Sequence, residues 1–313
     1  MLAYIVRRLF ATIPVMGVVA LFVFSLLYLA PGDPAAVIAG DLATAEDIAR
    51  IRRSLGLDEP FLVRFGGWFW SVLQGDLGIS IFTNLPVSRL IGQRVEPTLA
   101  LTLCTMIVSV IVAVPLGVLA AARVGSWLDR FVMALAVAGF SVPVFVVAYL
   151  LILFFSLQLE LLPVQGYRSI SEGFWPFLSH MVLPSLALGL SFIALIARIT
   201  RAAMLDVLSQ DYIRTARAKG LDEGDVLIGH ALKNAAVPIA TIIGIGVALL
   251  IGGVVITETV FAIPGIGRLV VDAILRRDYP IIQGVILIFS AAYVLVNLAV
   301  DISYTFLDPR IRY

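Results

Sequence analysis

Only two lysines, two histidines and one cysteine occur among the 313 residues, and charged side chains make up just 14% of the chain. Each shortage excludes a class of chemistry. A nucleotide-binding P-loop needs Gly-Lys-Ser/Thr so that its lysine reaches the phosphates. Here Lys219 lies between Ala218 and Gly220, and Lys233 between Leu232 and Asn234, so the chain is no P-loop ATPase. His180 and His230 fall on opposite expected sides of a membrane, which rules out an H-E-x-x-H zinc site or a histidine cluster. No G-x-S-x-G nucleophile elbow occurs. The lone Cys104 reads as a small packing residue and allows no disulfide within the chain. The expectation is a protein that is not an enzyme, with no metal or cofactor bound by this chain.

What is abundant is apolar: 61% of residues, with a mean hydropathy of +1.04. Charged residues usually make up about 25% of a soluble domain. Six segments, 9–30, 98–122, 131–157, 181–200, 237–257 and 281–300, approach or exceed the length of about 20 residues that a membrane-crossing helix needs. None has Asp, Glu or Lys at its centre, whereas a proton-coupled carrier is expected to hold ionisable groups near the midplane. Arg198, Arg201 and Asp301 sit at segment ends, where long side chains reach the interface. The first span follows Arg7 and Arg8 like a signal peptide, but its apolar run is too long for a cleaved leader and no A-x-A site follows closely.

Short loops rich in arginine and lysine mark the cytoplasmic side. Arg7, Arg8, Arg123, Arg130, Arg198, Arg201, Arg214, Arg217, Lys219, Lys233, Arg310 and Arg312 place both termini and the 211–238 loop inside. Arg268, Arg276 and Arg277 count against that orientation. Segment 31–94 is long enough to be exported regardless of charge and reads as two helices. Thr44 caps the first, with Asp47 three residues on and Gly56 as its stop. The second begins near Pro60, with Phe61, Leu62, Phe65, Trp68, Phe69, Val72 and Leu73 on one face. That face suits the outer ends of the spans or the membrane interface.

The loop from Asp211 to Pro238 holds both lysines between two apolar runs. The residue pattern predicts that Arg214, Arg217 and Lys219 close a helix continuing from the fourth span, with Gly220 as the left-handed residue that ends it. Asp222 is expected to cap a second helix through Ala236, and Pro238 to open the fifth span. Taken alone, this is either a solvated connector or a surface that touches a soluble partner.

The loop resembles the cytoplasmic signature of ATP-binding-cassette importer permeases. The general pattern is E-A-A, three residues, Gly, nine residues, then I-x-L-P. Arg214, Thr215, Ala216 and Gly220, then His230, Ala231, Leu232 and Lys233, stand at those positions, without the glutamate and the terminal proline. The departures are those of the dipeptide, oligopeptide and nickel branch, which is typified by Y-x-R-T-A-R-A-K-G-L and H-A-L-K/R-N-A. Further matches to the first permease subunit of that branch run along the chain: Arg7-Arg8-Leu9, Pro31-Gly32-Asp33-Pro34, Leu55-Gly56-Leu57-Asp58 with Pro60, Gly75-Asp76-Leu77-Gly78 and Pro97-Thr98. Glu258, Phe261, Pro264-Gly265-Ile266-Gly267, Asp278, Pro280, Gly284 and Asp308-Pro309-Arg310 complete the series.

The resemblance implies an all-α integral membrane protein with six transmembrane helices and the type I ABC importer permease fold. Its parts would be an N-terminal helix (1–30), an extracytoplasmic helical segment (31–94), a permease core (95–305) with a coupling loop near 204–236, and a cytoplasmic tail (306–313). The implied place is the bacterial inner membrane. The implied partners are a second homologous permease in a heterodimer, two cytoplasmic ATPase subunits that carry ATP and Mg, an extracytoplasmic solute-binding protein and the bilayer. No nucleic acid is among them. The ATPases would drive the coupling loop as a rigid lever through Arg214, Thr215, Ala216, Arg217, Lys219, Gly220, His230, Leu232 and Asn234. By the same resemblance, Pro264, Gly265 and Gly267 lie near the substrate entrance.

Candidates for the pathway or entrance are Thr98, Thr102, Ser141, Glu258, Pro264, Gly265 and Gly267. Thr98, Thr102, Thr105 and Ser109 share one helical face, and Ser141, Tyr149, Tyr293 and Asn297 add polar points elsewhere. Small and hydroxyl residues also mediate helix packing in lipid. The expected cargo is peptide, with nickel chelate, glutathione or another small solute as alternatives. A secondary transporter working alone and a membrane scaffold without a pore are the competing functions.

Overall fold

The computed structural model describes residues 2–29, 33–39, 43–54 and 56–307. Pro31, Gly32, Leu55 and the closing Asp308-Pro309-Arg310, named above, lie outside them, as does the tail beyond Leu307, including Arg312. The described residues contain no strand; one isolated bridge pairs Ile79 with Pro86. The chain divides into two compact units, Met1–Val95 with Arg268–Val294, and Glu96–Gly267 with Leu295–Tyr313.

The first unit starts with the apolar helix α1 (Leu2–Leu29), followed by α2 (Pro34–Ala39), α3 (Ala45–Ser54) and α4 (Phe61–Leu73). Thr44 and Asp47 cap α3 reciprocally: the Asp47 N–H donates to Thr44 Oγ1 at 3.3 Å, and the Thr44 N–H to Asp47 Oδ2 at 3.2 Å. The Thr44 hydroxyl also donates to Asp47 Oδ2 at 2.7 Å, and this bond, with that of the Thr44 N–H, holds the Asp47 carboxyl below its usual range. Gly56, at φ +62°, ends this helix as expected. Segment 31–94 nevertheless holds more than two helices, because α2 is present and the next span already begins at Val87. Phe61, Phe65 and Trp68 pack on Phe24 of α1, with ring centroids 5.2–5.5 Å apart. Leu62 and Leu73, expected on that same face, turn outward instead.

The loop 78–86 of this unit is keyed to Asp278. Ser80 Oγ donates to its Oδ2 at 2.6 Å and the Ile81 N–H to its Oδ1 at 3.4 Å. Asp278 is buried, so Asp278→Ala is expected to destabilise the fold by about 1–3 kcal/mol by orphaning those donors. Thermal unfolding of the purified protein measures this, and Asp278→Asn should recover part of the loss.

The second unit continues α5 (Val87–Ala122) from Glu96 onward and adds a bent span made of α6 (Trp127–Ser141) and α7 (Val144–Leu151) with a π-helical end (Ile152–Gln158). The two halves meet at 104°, so the expected straight third span is broken. Pro143 supplies the reason: it forces Val142 into extended backbone, φ −93° and ψ 124°, and cannot donate to the preceding turn. Next come α8 (Phe174–Leu208), α9 (Asp211–Ala218), the single turn α10 (Glu223–Asp225), a π-helical turn (Val226–Leu232) and α11 (Lys233–Val260). α12 (Ile266–Arg276) and α13 (Tyr279–Leu307) begin and end in different units. Among the described residues, five helices are long and apolar enough to cross a membrane, or six with the bent pair counted as one. Leu101, Met181, Leu183, Ile196, Leu250 and Phe261 anchor the apolar core of this unit.

Candidate functional site

Two regions of the second unit collect the residues singled out by the sequence. The first is the connection between α8 and α11. α8 does not run on into the arginines as expected. It stops at Leu208, Ser209 and Gln210 break the helix, and α9 starts afresh at Asp211. Gln210 is extended, at φ −75° and ψ 149°, which turns the chain. Ile213 and Ala216 face inward onto Met204, Val226, Ala231 and Ala235, with Leu232 packed alongside. Tyr212, Arg214, Thr215, Arg217 and Lys219 remain exposed.

Gly220 ends α9 at φ +83°, and a Cβ there would meet nothing within 4 Å. The demand at this position is therefore purely conformational. Gly220→Ala should cost about 1–2 kcal/mol, the usual penalty for a left-handed L-residue, and Gly220→Asn less. Thermal melts of the two variants test that order.

Asp222 then caps α10 by accepting from the Gly224 N–H at 3.1 Å. Across the turn, Arg217 grips Glu223 with two hydrogen bonds of 3.1 and 2.6 Å, and this carboxylate raises the arginine's affinity for its proton. Arg214 reaches Asp211 at 3.4 Å, an exposed pair of little energetic weight. Asn234 Nδ2 donates to the His230 carbonyl at 2.7 Å. Pro238 does not open a new helix, since it lies inside α11, which follows the π-helical turn without a break. A two-helix knob results, with an apolar underside fastened to the bundle and an exposed rim that carries Tyr212 and Ile228 beside Arg214 and Lys219.

The second region is the turn after α11. Thr98 and Glu258 are 4% and 0% exposed, and both are spoken for. The Thr98 hydroxyl donates to Glu258 Oε1 at 2.6 Å and accepts from the Ile266 N–H at 2.8 Å. Gly265 and Gly267 flank the same carboxylate. A Cβ on Gly265 would overlap it, and one on Gly267 would come within 2.9 Å of Glu258 Oε2 and of the Val255 Cα. Glycines stand there because the acid occupies the space of a side chain. Pro264 is exposed at the tip of the turn, and Ala262 holds a left-handed φ of +50°.

The structure thus brings Thr98, Glu258, Gly265 and Gly267 together. The Thr102 hydroxyl is buried and bonds back to the Thr98 carbonyl at 2.8 Å. Ser109 faces the Gly189 carbonyl at 3.4 Å, and the Thr105 hydroxyl is buried with no hydrogen-bond partner among the described residues. Ser141 stands apart and exposed at the break between α6 and α7, bonded to the Val137 carbonyl.

Several contacts carry no sequence signal of their own. The loop 165–169 bridges the Phe261 end of α11 and the start of this unit's part of α5: the Gly166 N–H donates to the Phe261 carbonyl at 2.8 Å, and the Tyr167 hydroxyl to Glu96 Oε1 at 2.9 Å. Burial, reinforced by Glu96, pushes the Tyr167 phenol up. Arg201, expected to reach for the interface, instead forms a two-pronged pair with Asp129 at 2.5 and 2.9 Å. Matching positions near the same ends of their spans were the available hint.

Two family profiles match the sequence. Residues 1–102 match the N-terminal membrane component, and residues 113–313 the inner membrane component, of binding-protein-dependent transport systems. A Sinorhizobium fredii protein named as a peptide ABC transporter permease, y4tP, is 58% identical over 310 residues, covering 99% of each chain. A Brucella abortus protein named as a peptide transport system permease is 45% identical over 313 residues, covering both chains completely. The glutathione transport system permease GsiC of Salmonella paratyphi A is also 45% identical, again over both full lengths. Among solved structures, a chain of the inward-facing MetNI methionine ABC transporter shares the fold. It matches with a TM-score of 0.59 at 19% identity, over 70% of this chain and 96% of that one. Profiles that cover nearly every residue, and relatives that align from end to end, make this chain a member of the binding-protein-dependent transport system inner membrane component family.

Proposed function

We propose that this chain forms half of the translocation pathway of an ATP-driven peptide importer, paired with a second, different permease subunit. As a family member it is a multi-pass membrane component that hydrolyses nothing; ATP hydrolysis and solute capture belong to partner subunits. The observation that carries the peptide reading is end-to-end similarity to relatives named as peptide permeases. Glutathione is the second reading, favoured by the equally complete match to GsiC, and it too is a short peptide. Reconstitution with the neighbouring second permease, two ATPase subunits and the binding protein tests both. Uptake of labelled di- and oligopeptides is expected, competition by glutathione decides between the readings, and transport by this chain alone would overturn both.

In this proposal the coupling loop near 204–236, which holds the knob, docks on an ATPase subunit on the cytoplasmic side, with both chain termini on that side. Its apolar rim residues Tyr212 and Ile228, unsupported by neighbours, are suited to a protein cleft. Ile228→Asp is expected to weaken ATPase association about tenfold or more, as loss of a central apolar anchor does. Co-purification of the ATPase subunits and the amount of permease in the membrane should be measured together, because a fall in both would indicate misfolding. The turn holding Glu258, Gly265 and Gly267 is assigned to the opposite face, at the substrate entrance. There the buried acid positions the turn and leaves cargo selection to the binding protein.

A further inference from the structure

Helix α4 is apolar on both of its sides, and only one side is covered. Phe61, Phe65 and Trp68 lie against Phe24 of α1, and the helix's only charge is folded onto the same seam. The Arg64 guanidinium carbon lies 5.4 Å from the ring centres of both Phe24 and Tyr28, and its Nη1 donates to the Tyr28 hydroxyl at 2.6 Å. The other side presents Leu62, Val63, Trp70 and Leu73, which are 76%, 60%, 63% and 62% exposed. Gly66 and Gly67 lie in the same stripe, and a Cβ on either would meet nothing within 4 Å. An uncharged stripe of this kind is not left in water.

Its length and its ends say how it is covered. Thirteen residues give about 20 Å of helix, short of the roughly 30 Å hydrocarbon layer. Exposed carboxylates bracket it, Asp58 and Glu59 before and Asp76 after. Charges are costly at membrane depth, so neither end can be submerged. A helix with an apolar body and both ends held at headgroup level lies along the membrane plane. Its contact with Phe24 and Tyr28 puts it beside the Leu29 end of α1, whose exposed Phe22 and Leu29 face lipid because α1 is a span. The bare side of α4 is as apolar as that lipid-facing surface, with Trp70 where indole rings prefer to sit.

We propose that α4 is an in-plane membrane helix, clasped to α1 by Arg64 and the aromatic seam, whose Leu62–Val63–Trp70–Leu73 side is immersed in the acyl boundary of one leaflet. The partner is phospholipid. The second permease and the binding protein are the occupants that the test must distinguish from it. Benzoylphenylalanine placed singly at Trp70 or Leu73 in the complete transporter, irradiated in native membranes and analysed by mass spectrometry, reads the neighbour directly. Phe10, on the exposed side of α1, serves as the lipid-facing control. The expected result is phospholipid adducts at both positions, at a yield comparable to that at Phe10. Adducts with another subunit would overturn the proposal, and so would no adduct where Phe10 gives one.

Discussion

Arg201→Ala is expected to destabilise the protein by about 3–5 kcal/mol, because it strands a buried carboxylate. Asp129 is 4% exposed, and both of its oxygens are engaged: Oδ1 by Arg201 Nε, Oδ2 by Arg201 Nη2 and by the Gly125 N–H at 2.9 Å. These bonds tie the loop before α6 and the first turn of α6 to α8. With the arginine gone, Asp129 keeps only the Gly125 N–H, and in a place that few waters reach it must either stay charged on that one hydrogen bond or take up a proton at a cost in stability. Asp129→Ala strands the less buried Arg201, which is 23% exposed at its side chain, and should cost less. The double replacement Asp129→Leu/Arg201→Met should be milder than either single change, since two apolar groups leave nothing unpaired. Detergent thermal-shift midpoints of the four proteins check the order. A double variant as unstable as the sum of the single changes would sink this reading.

Gly265→Ala is expected to disable the turn after α11. The added methyl falls on the Glu258 carboxylate, whose Oε1 is held by the Thr98 hydroxyl, and the Ile266 N–H that this hydroxyl accepts lies next door. The acid cannot retreat without orphaning a hydrogen bond, so the cost is that of overpacking, about 1–3 kcal/mol, with uptake lost in proportion to the displaced turn. Glu258→Ala alone leaves a hole and removes the acceptor of the Thr98 hydroxyl proton, while the Ile266 N–H still donates to that hydroxyl. Combined with Gly265→Ala, it makes room for the new methyl. The pair should therefore be non-additive by more than about 0.5 kcal/mol in a double-mutant cycle of thermal stability. Additivity would mean that the glycine and the acid do not share this space.

Much of the architecture was legible because lipid imposes it. Long apolar runs become helices wherever backbone groups have no water to bond, and Thr44, Gly56, Pro60, Gly220 and Asp222 punctuate the chain where capping chemistry says they should. Pattern and fold part at prolines and in the sidedness of helices. Pro143 bends the third span through 104°, whereas Pro238 and Pro14 sit inside helices. A proline removes one donor in every case; whether the chain turns there depends on neighbours that a one-dimensional pattern does not supply. A helix apolar all round gives no preferred side, so the pattern groups Leu62 and Leu73 with Phe61 and Phe65 although the fold turns them outward. In the candidate site, Glu258 and the glycines are visible as residue types, but that the acid fills the space of the glycines' missing side chains, held there by Thr98 from 160 residues away, is seen only in the fold.

The continuity of α11 has a mechanical corollary. One uninterrupted helix of 28 residues, about 42 Å long, has the knob's last turn at one tip and the Glu258 turn at the other. A stiff beam tilted by about 10° around its middle carries its two tips about 4 Å in opposite directions. In the proposed importer, a push on Lys233 toward the bundle axis would draw Glu258 away from it, so opening at one surface and closing at the other would be a single displacement that needs no relay.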